Sequence, residues 1–193
     1  MRKHLRTKRK FRHSKNHKTA TRGGIVDGVS ISERPPEVED RAVPGHWEGD
    51  LIAGSLNSYI ATVVERSSRF TILVKVDDKS TTSVVAALSR QMDKLPELLK
   101  RSLTWDRGTE LASHALFTTA TEMDVYFCDP SSPWQRGTNE NTNGLLRQYF
   151  PKGTCLSNKS QKELDMVATK LNTRPRKTLG FHSPADKLNE MLQ

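Results

Sequence analysis

The spacing of apolar positions changes several times along the chain, and each change marks a predicted element. Residues His46–Ala53 read as a first strand, stopped by the turn-forming run Gly54-Ser-Leu-Asn-Ser58. Tyr59–Glu65 is β-branched and apolar almost throughout, as a strand covered on both faces would be. After the short Arg66-Ser-Ser68 turn, Phe70, Ile72, Val74 and Val76 alternate with polar neighbours, predicting a third strand. A helical period follows from Thr81 to Leu95, with Val84, Leu88, Met92 and Leu95 on one stripe. Ser102–Trp105 is a short fourth strand. Ser113 then caps a helix expected to turn Leu116, Phe117, Ala120 and Met123 inward, and Val125–Cys128 is a fifth strand. The loop Asp129–Gly137 leads to a helix over Thr138–Tyr149. Ser160-Gln-Lys-Glu163 is a capping-box pattern ahead of Leu164, Val167 and Leu171. Ser183-Pro184 opens a last helix, with proline at its first position.

Short links between the first three strands imply an antiparallel meander, and the later strands alternate with helices as parallel strands do. The expected architecture is therefore α/β: a ribonuclease-H-like mixed sheet of three antiparallel strands, then two parallel strands, flanked by helices. Residues 1–45 show no sustained period and carry Gly23-Gly24, Pro35, Pro36 and Pro44. They read as a basic arm and linker, with the folded core and its C-terminal helices over 46–193.

Charge sharpens that division. The net charge of +9 comes from 31 Lys and Arg against 22 acids. Ten of those bases lie in residues 1–22, which hold no acid, so the remainder carries about −1. A run of like charge that includes Arg6, Lys8, Arg9, Lys10 and Arg12 suits a polyanion whose counterions it displaces. Charge alone carries no base code, so the arm is expected to bind a phosphate backbone rather than read sequence. A solvated tail explains the same run without a partner. No apolar stretch approaches the ~18 residues of a membrane span, and no apolar segment follows the basic start as in a secretory signal. Cys128 and Cys155 have neither metal-ligand spacing nor disulfide density, which fits reduced thiols in a cytoplasmic protein.

Three acidic residues fall where chemistry is expected. Asp50 lies inside the first strand, although aspartate is depleted in strands and costly to bury unpaired. Asp106 follows the fourth strand directly, and Glu140 is in the first turn of the helix after the loop. Singly, Asp106 suits a turn and Glu140 suits a helix dipole. Jointly, a meander-plus-crossover sheet makes the first and fourth strands neighbours and brings the helix start toward the same crevice. Converging carboxylates repel one another and call for hard divalent cations such as Mg²⁺.

The segments His46-Trp-Glu-Gly-Asp50, Thr104-Trp-Asp106-Arg-Gly-Thr-Glu110, Ser132–Lys152 and Asn172–Phe181 carry a resemblance. Together they resemble the DDE transposases of the bacterial insertion sequence thirty family, with 33 residues between Asp106 and Glu140 and Arg147 seven places after the glutamate. The resemblance implies an integrase-type catalytic core. Asp50, Asp106 and Glu140 would be its catalytic residues and metal ligands for two Mg²⁺, with Mn²⁺ as a substitute. The implied reaction is DNA cleavage at the element's ends followed by strand transfer of the freed 3′-hydroxyl into target DNA. It also implies double-stranded DNA as partner, a homo-oligomer on that DNA, and a bacterial, nucleoid-associated location. Arg147, Arg136, Gln135, Asn139, Asn143 and Lys152 are the expected DNA contacts in the core, set against helix, loop and cap roles. Arg174, Arg176 and Lys177 are further basic candidates. His46 reads as structural, and Trp47, Trp105 and Trp134 as core or crevice wall.

Family members carry a helix-turn-helix region before the core, and nothing in residues 1–45 resembles one. An internal start at Met1 and a truncated element are both open. Two other functions stay in view: a plain ribonuclease-H-like nuclease that does not join DNA, and a truncated, non-transposing DNA-binding product.

Overall fold

The computed structural model describes Ile25 and residues 27–193. The arm residues Arg6, Lys8, Arg9, Lys10 and Arg12 lie outside the described residues. Six strands, β1 (Val29–Ser30), β2 (His46–Ala53), β3 (Tyr59–Glu65), β4 (Thr71–Lys75), β5 (Ser102–Trp105) and β6 (Asp124–Phe127), form one sheet in the order β1-β6-β5-β2-β3-β4. β2, β3 and β4 are antiparallel, whereas β5 runs parallel to β2, β6 parallel to β5, and β1 parallel to β6. This is the expected ribonuclease-H-like mixed sheet, extended by one edge strand.

Helices cover both faces. Those flanking the meander and crossovers are α2 (Thr81–Met92), α3 (His114–Thr121), α4 (Gly137–Leu146), α5 (Gln161–Asn172) and α6 (Pro184–Met191). Period-2 alternation on the central strands feeds two separate cores. On one face Trp47, Ala61, Val63 and Val74 meet Val84, Leu88 and Met92 of α2 and Phe117 of α3. On the other, Ile52, Ile60 and Leu73 meet Leu146 of α4 and Leu164 and Leu171 of α5. Asp50 shares the second face, because it is two residues from Ile52. Burying one large apolar side chain contributes roughly 1.5–3 kcal/mol, and Leu146 in the second core helps hold α4 over the face that carries Asp50.

The caps of the last two helices form as the sequence predicts. Ser160 with Glu163, and Ser183 with Asp186, close capping boxes at the starts of α5 and α6. Three expectations need correction. The third helix begins at His114, so its buried stripe is His114, Phe117 and Thr121, while Leu116 and Ala120 face solvent. Ser113 makes no side-chain cap there; its backbone N–H donates to Thr81 Oγ1. The helix expected over Thr138–Tyr149 runs over Gly137–Leu146 and follows a 3₁₀ turn at Pro133–Arg136.

The last part of the expected linker is also ordered. β1 pairs Val29 with Tyr126 and Ser30 with Phe127, and the short helix α1 (Glu37–Asp40) follows. Val38 is buried, and buried Arg34 donates to Thr104 Oγ1 at 3.0 Å. A two-residue strand leaves no period to read, and the segment docks through backbone pairing, one buried valine and the buried Arg34 rather than through an apolar stripe. Among the described residues no helix is long and apolar enough to cross a membrane.

Candidate active site

β2 and β5 pair in parallel with Glu48 opposite Thr104. Asp50 and Asp106 each lie two residues further along, so they take equivalent places on neighbouring strands and share a face. Two glycines permit this approach. A Cβ on Gly49 would overlap the Trp105 ring, the residue next to Asp106. Gly108 donates its N–H to Asp106 Oδ1 at 2.9 Å, and a Cβ there would collide with the Glu110 carboxylate.

Arg136 joins the two aspartates. Its guanidinium is 3.3 Å from Asp50 Oδ1 and 3.6 Å from Asp106 Oδ2, and it donates to the Gly49 carbonyl at 2.8 Å. Burial disfavours its charge, but Asp50 and Asp106 outweigh burial and hold its pKa above the ordinary value. Asp50 also accepts from Leu51 N–H and from Asn143 Nδ2, both at 2.9 Å. Burial, more than any other cause, raises the Asp50 pKa; Arg136 opposes that rise and Asp106 adds to it. Asp106 is the open member of the pair, its side chain 45% exposed against 23% for Asp50. Beside it lies a cavity of about 380 Å³ lined by Arg107, Cys128, Pro130 and Pro133.

Glu140 lies between Arg136 and Asn143 in helical phase, four residues after one and three before the other, and both of those touch Asp50. Its own side chain is exposed. Among the described residues no three His, Cys, Asp or Glu are grouped closely enough to hold a metal ion. Two of the three expected carboxylates therefore meet at one guanidinium, and the third stands on the adjoining helix face.

The expected DNA contacts divide. Asn139 is fully buried, donating from Nδ2 to Glu48 O at 2.8 Å and to Thr62 O at 3.2 Å, so it is a structural tie and not a surface contact. Arg136 is likewise buried and committed to the aspartates. Sequence reading placed both beside DNA because it could not see which face of α4 the sheet covers. Gln135 exchanges hydrogen bonds with Asp129 across the loop, at 2.8 and 2.9 Å. Arg147 donates twice to the Ala53 carbonyl at 3.2 Å and closes the end of β2. Lys152 is exposed. His46 is buried against Ser102 Oγ at 2.8 Å, Trp47 and Trp105 are core, and Trp134 is 72% exposed.

Sequence reading missed Glu48. Its buried carboxylate accepts from Arg66 Nη1 at 2.8 Å and from the Asn139 backbone N–H at 2.9 Å, tying β2 to the first turn of α4. The signal was available: a second acid in the same strand, two residues before Asp50 and therefore on the same face.

A mixed sheet with one aspartate inside a central strand and a second just past the neighbouring parallel strand is the arrangement of an integrase core of the ribonuclease-H-like kind. The integrase core domain family matches residues 40–133, a span that contains Asp50 and Asp106 but not Glu140. The chain is 55% identical over 186 residues to the transposase InsI for insertion sequence element IS30A of Escherichia coli (strain K12), covering 95% of this chain and 49% of that protein. It is 54% identical over 189 residues to the transposase for IS1086 of Cupriavidus metallidurans, and 36% identical over 191 residues to that for IS4351 of Bacteroides fragilis. These alignments cover 97% and 98% of this chain, and 56% and 58% of the two relatives. These likenesses support a place in the IS30 family of DDE transposases, and the chain spans about half the length of the curated relatives it matches.

Proposed function

We propose that this chain carries the catalytic core of a DNA transposase, cutting DNA at the ends of an element and joining the freed 3′-hydroxyl to a target. The observation that carries the reading is the pairing of Asp50 and Asp106 across one buried cation, Arg136. A guanidinium held by both carboxylates marks the place between them as one that calls for positive charge. The donor set, carboxylate oxygens only, fits hard divalent ions such as Mg²⁺ or Mn²⁺.

In this reading Asp50, Asp106 and Glu140 would hold two divalent ions. When bound, these ions supply a more acidic attacking oxygen and a stabilised leaving oxygen for in-line displacement. The protein's own residues do the remaining work. Asp106, half open beside its cavity, faces the incoming phosphodiester. Asn143 and Leu51 N–H hold the Asp50 carboxylate in one orientation. Glu140 approaches from α4, whose first turn Glu48 anchors to β2. Double-stranded DNA is the substrate, the arm at residues 1–22 adds backbone attraction, and pairing of two element ends requires a homo-oligomer.

The test is an assay with Mg²⁺, a pre-cut terminal DNA and a target plasmid. Joint molecules from the native chain, absent with Asp106→Asn, support the proposal. Cleavage without joining supports the plain nuclease instead, and DNA binding without cleavage by either form supports the non-transposing product.

A further inference from the structure

On the opposite flank of α4 from the aspartates, four cations converge from distant parts of the chain. Arg69, from the turn between β3 and β4, meets Arg174, Arg176 and Lys177, from the loop after α5. Together they line a groove of about 280 Å³ whose other wall includes Asn141 and Leu145 of α4. Among the described residues, none of the four takes part in an ion pair. Burial first, then the charges of Arg174 and Arg69, hold the Arg176 pKa below its ordinary value, so these side chains are near enough to repel one another.

The groove is built, not a chance overlap of surface side chains. Arg176 donates from Nη2 to Leu171 O at 3.2 Å, and its backbone bonds to His182 and Phe181 pin the loop. Its Nε is buried with no hydrogen-bond partner. Arg69 adopts φ 61°, a left-handed conformation that costs an L residue about 1–2 kcal/mol and that glycine would take freely. Arg69 makes no ion pair among the described residues, although its charge acts on that of Arg176 across the groove.

We propose that this groove binds the phosphodiester backbone of a DNA strand, as a docking site separate from the carboxylates. The inference rests on the transposase reading. Planar guanidinium forks match paired phosphate oxygens. Four cations along a groove exceed what one phosphate needs and suit consecutive phosphates of one strand.

The experiment measures duplex DNA binding by the full chain in EDTA over a range of salt. The variant is Arg69→Gln/Arg174→Gln/Lys177→Gln, which leaves half-buried Arg176 untouched. A control, Lys79→Gln/Arg90→Gln/Lys94→Gln, removes equal charge around α2 on the other face of the sheet. Three lost phosphate contacts should make the slope of log affinity against log salt shallower by about 2.7. The control should retain the native slope. An unchanged slope in the groove variant, or an equal change in the control, overturns the proposal. A shift seen with duplex RNA or heparin but not with duplex DNA overturns the assignment to DNA. Because the assay contains no metal, a failed strand-transfer assay leaves its outcome separately readable.

Discussion

Replacing Glu48 with leucine tests the tie between the strand that carries Asp50 and the helix that carries Glu140. Glu48 is 1% exposed, and its partner Arg66 only 5%. The variant strands a buried guanidinium whose other acid, Glu39, is 3.7 Å away and 68% exposed. Removing one partner of a buried pair costs about 3–5 kcal/mol, and the Asn139 N–H left without an acceptor costs roughly 1–3 in the same neighbourhood. The two losses overlap, so the expected total is about 3–5 kcal/mol, a fall in Tm on the order of 10 °C for a chain of this size. Urea unfolding followed by circular dichroism measures it. Glu48→Leu/Arg66→Met, which removes both charges, should recover most of the stability. DNA cleavage should stay low in the double variant, because the first turn of α4 still lacks its acceptor. A single variant within 1 kcal/mol of native, or a double variant that merely adds the two losses, would refute the reasoning.

His46 predicts a pH dependence. Burial, then the charges of Arg101, Arg34 and Arg66, depress its pKa to about 4 from 6.5. The unfolded chain therefore binds a proton that the folded chain refuses. This contribution, about 3 kcal/mol, is complete above pH 6.5 and is lost as pH falls toward 4. Denaturant unfolding of native protein and His46→Gln across that range should show the native curve falling more steeply; parallel curves would contradict it. The thiols should separate equally clearly. Burial pushes Cys128 up to about 11, whereas hydrogen bonds from Ser157 lower Cys155. Alkylation at pH 8 followed by mass spectrometry should modify Cys155 in the folded chain and Cys128 only after unfolding. Equal labelling of both would count against the buried placement of Cys128.

The sequence made the sheet legible wherever a strand was long or doubly covered. Tyr59–Glu65 appears with its expected bounds because unbroken β-branched runs have one reading. The third helix was misphased because Leu116 and Ala120 suit either face, and only the buried His114 settles which stripe turns inward. Asp50 was legible as an acid at a strand position that disfavours it; Asp106, just past a strand where an aspartate also suits a turn, was legible only jointly with it. The roles of Asn139 and Arg136 were not, since polar residues at a helix start look alike until the sheet shows which are covered. Arg69 was illegible as a partner of Arg174, because about a hundred residues of chain separate them.

The central claim, that Asp50, Asp106 and Glu140 jointly hold divalent cations, is tested most directly by titrating Mn²⁺ and counting bound ions by electron paramagnetic resonance. The native chain should bind two, and Asp50→Asn, Asp106→Asn and Glu140→Gln should each lose at least one. Retention of both ions by Glu140→Gln, with undiminished DNA cleavage, would contradict the account.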